Sequence, residues 1–186
     1  MKNGFTIIEL MLTILVMSVV ITLGVPSFST SIQNNRITSQ ANSMIGAISF
    51  ARTEAVKLND QAVTLCGSTN QTSCNTSQWE QGWILFKDGD RDGQPGNSAN
   101  ILRVEGTLSG SNTLRTTGFS SNSLVRFDSQ GTITNSGAFV FCDDRGATSA
   151  KAIILNISGQ TRSAMDENDP ADSIVNDHDG VNIACP

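Results

Sequence analysis

The stretch at residues 5–25, FTIIELMLTILVMSVVITLGV, restricts the fold more than any other part of the chain. It is apolar almost throughout, and Glu9 is its one charged residue. A bilayer core takes about 20 apolar helical residues, so the run is long enough to span a membrane. Everything after it is then expected on one side of that membrane.

Three uses of such a run compete. A secretory signal peptide has a basic n-region, an apolar region of roughly 7 to 15 residues and a small-x-small cleavage site. Only Lys2 precedes this run, and Gly24-Val25-Pro26-Ser27 is a poor A-x-A site. A plain anchor tolerates Lys2, but a mid-membrane carboxylate costs on the order of 2.5 to 3.5 kcal/mol unless it is paired or near the interface. Glu9 therefore asks for a cation. Cleavage after Gly4 supplies one: the new α-amino group on Phe5 lies one helical turn from Glu9, and the same pair can form between neighbouring chains.

Lys2-Asn3-Gly4 followed by Phe5-Thr6-Ile7-Ile8-Glu9-Leu10 resembles the class III signal of type IV pilins and type II secretion pseudopilins. Glycine, aromatic and glutamate stand at fixed spacing before an apolar helix, a short but specific pattern. The resemblance implies that a prepilin peptidase cuts between Gly4 and Phe5 and N-methylates Phe5. It also implies that Glu9 guides docking by pairing with a neighbour's N-terminal amine. Three parts follow: a leader over 1–4, a hydrophobic transmembrane and assembly helix over 5–28, and a periplasmic or extracellular globular domain over 29–186. Such a protein waits in the bacterial inner membrane as a single-pass protein among lipid, then enters a pilus or pseudopilus.

Beyond the helix roughly 155 residues remain, enough for one domain with a modest core. The formal charge is -5 and the isoelectric point about 4.7, which argues against a globally basic nucleic-acid binder while leaving room for a local patch. Pro26 is expected to kink the helix without ending it, because helical periodicity resumes beyond it. Ile37, Ala41, Met44, Ile45, Ile48, Ala51 and Ala55 recur at steps of three and four. After Asn59-Asp60 the period changes to 2, and strands are expected at 61–66, 83–86, 101–104, 124–127, 131–134, 138–141 and 152–157. One long N-terminal helix packed on an antiparallel sheet is an α+β arrangement.

Phe50-Ala51-Arg52-Thr53-Glu54-Ala55-Val56, Val63-Thr64-Leu65-Cys66, and Trp79 with Gln81-Gly82-Trp83-Ile84-Leu85-Phe86, Asp88, Asp90 and Asp92-Gly93 are similar to the GspH/FimT type of minor pilins and pseudopilins. The resemblance implies a type IV pilin-like fold, with the first half of the helix in the membrane. It implies a minor pilin that helps assemble or prime a type IV pilus at or near its tip, serving motility, adhesion or DNA uptake. Its partners would be other minor and major pilins or pseudopilins. The alternatives are a minor pseudopilin of a type II secretion system and a DNA-binding minor pilin for natural transformation. In physical terms Trp83 and Phe86 are expected to be buried, and Arg52 and Glu54 to cap or solvate the helix end.

Four cysteines in a chain whose body lies outside the cytosol are read as disulfides, and they allow three pairings. Cys66 with Cys74 closes a short loop, and Cys142 with Cys185 ties the last residues to a core strand; this sequential pairing is expected. Zinc is disfavoured, because Cys66 and Cys74 lack C-x-x-C spacing and His178 is the sole histidine. The same lone histidine, without a nucleophile, phosphate-cradling glycine motif or metal triad, leaves no expected enzyme activity and no cofactor.

Two acidic loops raise the question of calcium. Asp88, Asp90 and Asp92 before Gly93 match the first half of a D-x-D-x-D-G loop, but Ala99 stands where the bidentate glutamate belongs. A hairpin connection is the preferred reading and calcium the alternative. Asp166, Glu167, Asp169, Asp172, Asp177 and Asp179 form the second cluster, expected as a solvated loop. For DNA, FimT-like proteins regarded as DNA-binding carry a C-terminal G-R-x-R. Here Gly159-Gln160-Thr161-Arg162 retains only Arg162, with Lys151 the nearest other cation, and DNA is not the favoured partner.

Overall fold

The computed structural model describes residues 4–168 and 170–186, and the side chains at 23–27 are not described. Lys2, Asn3, Asp169 and the side chain of Pro26 therefore lie outside the described residues. Helix α1 (Ile7–Leu58) continues past position 26 and contributes to two compact units, Met1–Asn35 and Arg36–Pro186.

In the first unit Thr6 caps α1. Its Oγ1 accepts from the Glu9 N–H at 3.3 Å and its carbonyl accepts from the Leu10 N–H at 3.1 Å. Thr6-x-x-Glu9 is a capping-box pattern, and it places the Glu9 charge in the first turn, where it opposes the helix dipole. The apolar side chains that follow are exposed, Ile7 and Leu15 among them. Thr13, Ser18 and Thr22 return their hydroxyls to the carbonyls of Leu10, Leu15 and Ser18 at 2.8, 2.7 and 2.9 Å. Among the described residues no helix is long and apolar enough to cross a membrane.

The second unit holds the rest of α1 and eight strands: β1 (Ala62–Gly67), β2 (Trp83–Asp88), β3 (Ile101–Glu105), β4 (Thr113–Thr117), β5 (Leu124–Phe127), β6 (Gly137–Cys142), β7 (Lys151–Leu155) and β8 (Thr161–Ser163). They form two antiparallel four-stranded sheets, in the orders β3-β2-β1-β5 and β4-β6-β7-β8, where one sheet was expected. Strand β4 escapes pattern reading because TLRTT buries only Leu114. Conversely, the expected strand at 131–134 is a turn: Gly131 has φ +74°, and the Asp128 carboxylate accepts from the Gln130 and Thr132 amides and the Thr132 hydroxyl. Side-chain capping and a left-handed glycine outcompete the ladder.

Each sheet has two covered faces. Val63, Leu65, Trp83, Leu85, Val125 and Phe127 from the first sheet, and Leu114, Phe139, Phe141, Ile153 and Leu155 from the second, meet the Ile37, Met44, Ile48, Ala51 face of α1 in the main core. These are alternate residues along each strand, as the period of 2 demands. Trp79 sits in the same core, edge-on to Phe139 at 5.2 Å between centroids, and donates its indole N–H to the Asn122 carbonyl at 2.8 Å. Trp83 and Phe86 are buried as expected. The opposite faces make smaller cores: Cys66, Ile84 and Phe86 on the first sheet, and Val140, Cys142, Ala152 and Ile183 on the second.

Candidate functional site

At the N-terminus, Gly4 and Phe5 precede α1, both exposed, and a Cβ at Gly4 would meet nothing within 4 Å. Glu9 is exposed one turn into the helix. Its place in the capping box is legible in the sequence as T-x-x-E, a local signal that the apolar run around it masks.

The two disulfides join Cys66 to Cys74 and Cys142 to Cys185, with Cα–Cα distances of 5.6 and 5.8 Å. Each holds a non-strand segment over the outer face of one sheet. Cys66 lies near the end of β1 and anchors the following loop over Ile84 and Phe86. Cys142 ends β6 and anchors the C-terminal segment, whose Ile174, Val175 and Ile183 pack on Val140 and Ala152.

Asp88, Asp90 and Asp92 do converge, with ligand atoms within 4.8 Å of one another. Asp88, however, is fully buried and already engaged: Oδ2 accepts from the Thr64 hydroxyl at 2.6 Å and from Arg126 Nε at 3.0 Å, and Oδ1 from the Gly93 N–H at 3.4 Å. Arg126 supplies in place the positive charge that a cation would bring. The remaining two carboxylates are exposed, and Asp92 accepts from the Gln94 N–H at 2.7 Å. The arrangement fits a turn staple at the end of β2.

Lys151 and Arg162 are not brought together. Arg162 lies opposite Ile154 in the β7–β8 ladder, whereas Lys151 shares strand parity with Ile153 and Leu155, which face the main core. The two cations thus belong to opposite faces of the second sheet. Arg162 is ion-paired with Glu167 at 3.1 Å.

The described residues at 166–168 and 170–182 form a loop with no helix or strand beyond the Asn176–Asn182 bridge, with Glu167, Asp172 and Asp179 exposed, and its own acids organise it. Asp166 accepts from the Asn168 and Ser173 amides, Asp172 from the Ile174 amide and Asn182, and Asp177 from the Asp179 and Val181 amides. The Ile174 amide and the Asn182 side chain hold the Asp172 carboxyl below its usual range. Buried Asn176 donates to the Gly180 carbonyl at 2.9 Å. His178 lies against Gly118, where a Cβ would stand 2.1 Å from the imidazole.

Three features define the class: a long N-terminal helix whose later part packs on two antiparallel sheets, an exposed apolar start to that helix, and disulfide-tethered segments over the sheets. This is an α+β protein of pilin type. A family model described as Type II transport protein GspH matches residues 40–159, and the chain belongs to that family. The fold is similar to that of the type IV minor pilin FimU of Pseudomonas aeruginosa (strain PAO1) in two crystal forms. One form has a TM-score of 0.55 and 19% identity over 72% of this chain and 91% of that one. The other has a TM-score of 0.51 and 18% identity over 69% and 92%. No curated protein matches the chain.

Proposed function

We propose that the chain is a minor pilin that takes part in assembling or priming a type IV pilus, at or near its tip. In this reading prepilin peptidase removes residues 1–4 and methylates the Phe5 amine. The helix then waits in the inner membrane before joining other pilins, and Glu9 pairs with a neighbour's N-terminal amine during docking. The observation that carries the reading is the apolar, exposed start of α1, with Glu9 as its one charge and its three hydroxyls satisfied within the helix, leading into a pilin-type domain. Lipid requires that internal satisfaction, and so does a dry filament core.

A minor pseudopilin of a type II secretion system is the second reading, favoured by the family match itself. Deletion followed by parallel assays of piliation, protein secretion and transformation separates the two. Loss of piliation alone supports the pilus role, and loss of secretion alone overturns it. A mature N-terminus other than methylated Phe5 by mass spectrometry overturns the processing step in either case.

A further inference from the structure

Arg52, near the C-terminal end of α1, does not cap the helix. Its Nε is buried without a hydrogen-bond partner, and no carboxylate pairs with it among the described residues. The stem passes between two glycine turns. A Cβ at Gly131 would stand 2.8 Å from Arg52 Cγ, and one at Gly159 would stand 3.1 Å from Arg52 Cδ. Both glycines have left-handed backbones, φ +74° and +73°, so their missing side chains serve the turn and the arginine together.

Beside the stem opens a cavity of about 330 Å³, lined by Ser49, Arg52, Thr53, Gly159, Gln160 and Thr161. Its lining offers a guanidinium, hydroxyls and an amide, and no carboxylate. Thr53 donates its hydroxyl proton to the Ser49 carbonyl at 2.8 Å, and among the described residues no hydrogen-bond partner takes up the Ser49 hydroxyl, the Gln160 side-chain amide or the guanidinium. The depression opens to solvent at Ser49, Thr53 and Gln160, and its one charge is positive, so an anion complements it. One guanidinium among neutral donors matches a carboxylate, whose two oxygens take paired N–H groups. Nucleic acid is a poorer fit, because phosphate affinity accumulates over many cations, and the next one along, Arg162, is already paired with Glu167.

We propose that the Arg52 cavity is a carboxylate-binding site that receives an acidic side chain from a neighbouring subunit. This rests on the assembly role proposed above, and it adds a contact on the globular domain to the one at Glu9. A neighbour of this chain's own composition, with 17 acidic against 12 basic residues, would have carboxylates to offer.

The test uses the full chain in detergent, with arginine Nε–H resonances followed during titration with sodium acetate against sodium chloride at matched ionic strength. Wild type is expected to show one saturable acetate shift. Arg52→Gln should abolish it, and so should Gln160→Glu, which leaves the core untouched and places an internal carboxylate at the exposed turn. Equal responses to acetate and chloride, a shift that survives Arg52→Gln, or saturation by inorganic phosphate but not acetate would overturn the site. In cells, Arg52→Gln should lower the amount of chain recovered in sheared filaments by about tenfold while Arg52→Lys restores most of it, as expected for loss of one paired charge. Unchanged recovery in Arg52→Gln overturns the neighbouring subunit as occupant. Absence of the wild-type chain from filaments overturns the assembly reading instead, and the acetate titration still tests the cavity independently.

Discussion

Gln94 brackets Cys74: its Oε1 accepts from the Cys74 N–H at 3.0 Å, and its Nε2 donates to the Cys74 carbonyl at 3.2 Å. The acidic turn after β2 and the disulfide loop after β1 are thereby one unit, laid over the outer face of the first sheet. Replacing Cys66 and Cys74 together by serine should cost about 2 to 3 kcal/mol, the range for a short closed loop. Gln94→Ala should cost about 1 kcal/mol, two solvent-exposed hydrogen bonds at modest net value. Denaturant unfolding followed by the fluorescence of buried Trp79 and Trp83 reads both. Costs that simply add would show that the two segments do not act together.

The buried Asp88–Arg126 pair predicts an asymmetry. Arg126→Ala strands a fully buried carboxylate and should cost about 3 to 5 kcal/mol, whereas Thr64→Val, which removes one donor, should cost about 1 to 3 kcal/mol. Because Arg126 already occupies the carboxylate, adding calcium should leave the melting temperature unchanged. A calcium-dependent rise would return Asp88, Asp90 and Asp92 to the role of ligands.

Asp143 makes the acid limb of stability testable. Its side chain is nearly buried, and hydrogen bonding from Arg145, with the Arg145 amide and charge adding to it, holds its carboxyl below the usual range against the opposing effect of burial. A depressed folded pKa contributes stability that is fully present above the unfolded value of about 3.9 and is lost as pH falls through the folded value. Asp143→Asn should therefore lower stability at neutral pH by about 1 to 3 kcal/mol and flatten its decline below about pH 4. A variant whose loss is the same at every pH would assign the effect to packing.

Lys151 and Arg162 occupy opposite faces of their sheet, so they cannot form one phosphate track. In a mobility-shift assay at low salt the domain should not retard duplex DNA, and Lys151→Ala should change nothing. Strong retardation lost in Arg162→Ala would restore DNA as a partner.

Local chemistry was legible in the residues themselves. The apolar run and Glu9, the helical face from Ile37 to Ala55, most strands and the short Cys66–Cys74 loop each express a period or a spacing that one segment carries alone, whereas Cys142 and Cys185, 43 residues apart, meet only in the fold. Legibility failed where a residue's role depends on an atom distant in the chain. Nothing around Asp88 announces Arg126 on β5, and nothing around Arg52 announces the glycine turns at Gly131 and Gly159 that close over its stem. Periodicity reports that a face is buried but not what buries it, so it could not divide eight strands between two sheets or reveal that Asp128 would turn 131–134 away from the ladder. What the sequence determined alone is therefore the apolar start of the long helix with its single carboxylate, the α+β order of elements and the presence of paired cysteines, because these are written within short segments. The tertiary structure decided which charges are neutralised, which faces are stapled and that the Arg52 Nε is buried without a partner, because hydrogen-bond and charge pairing are settled only when distant strands meet.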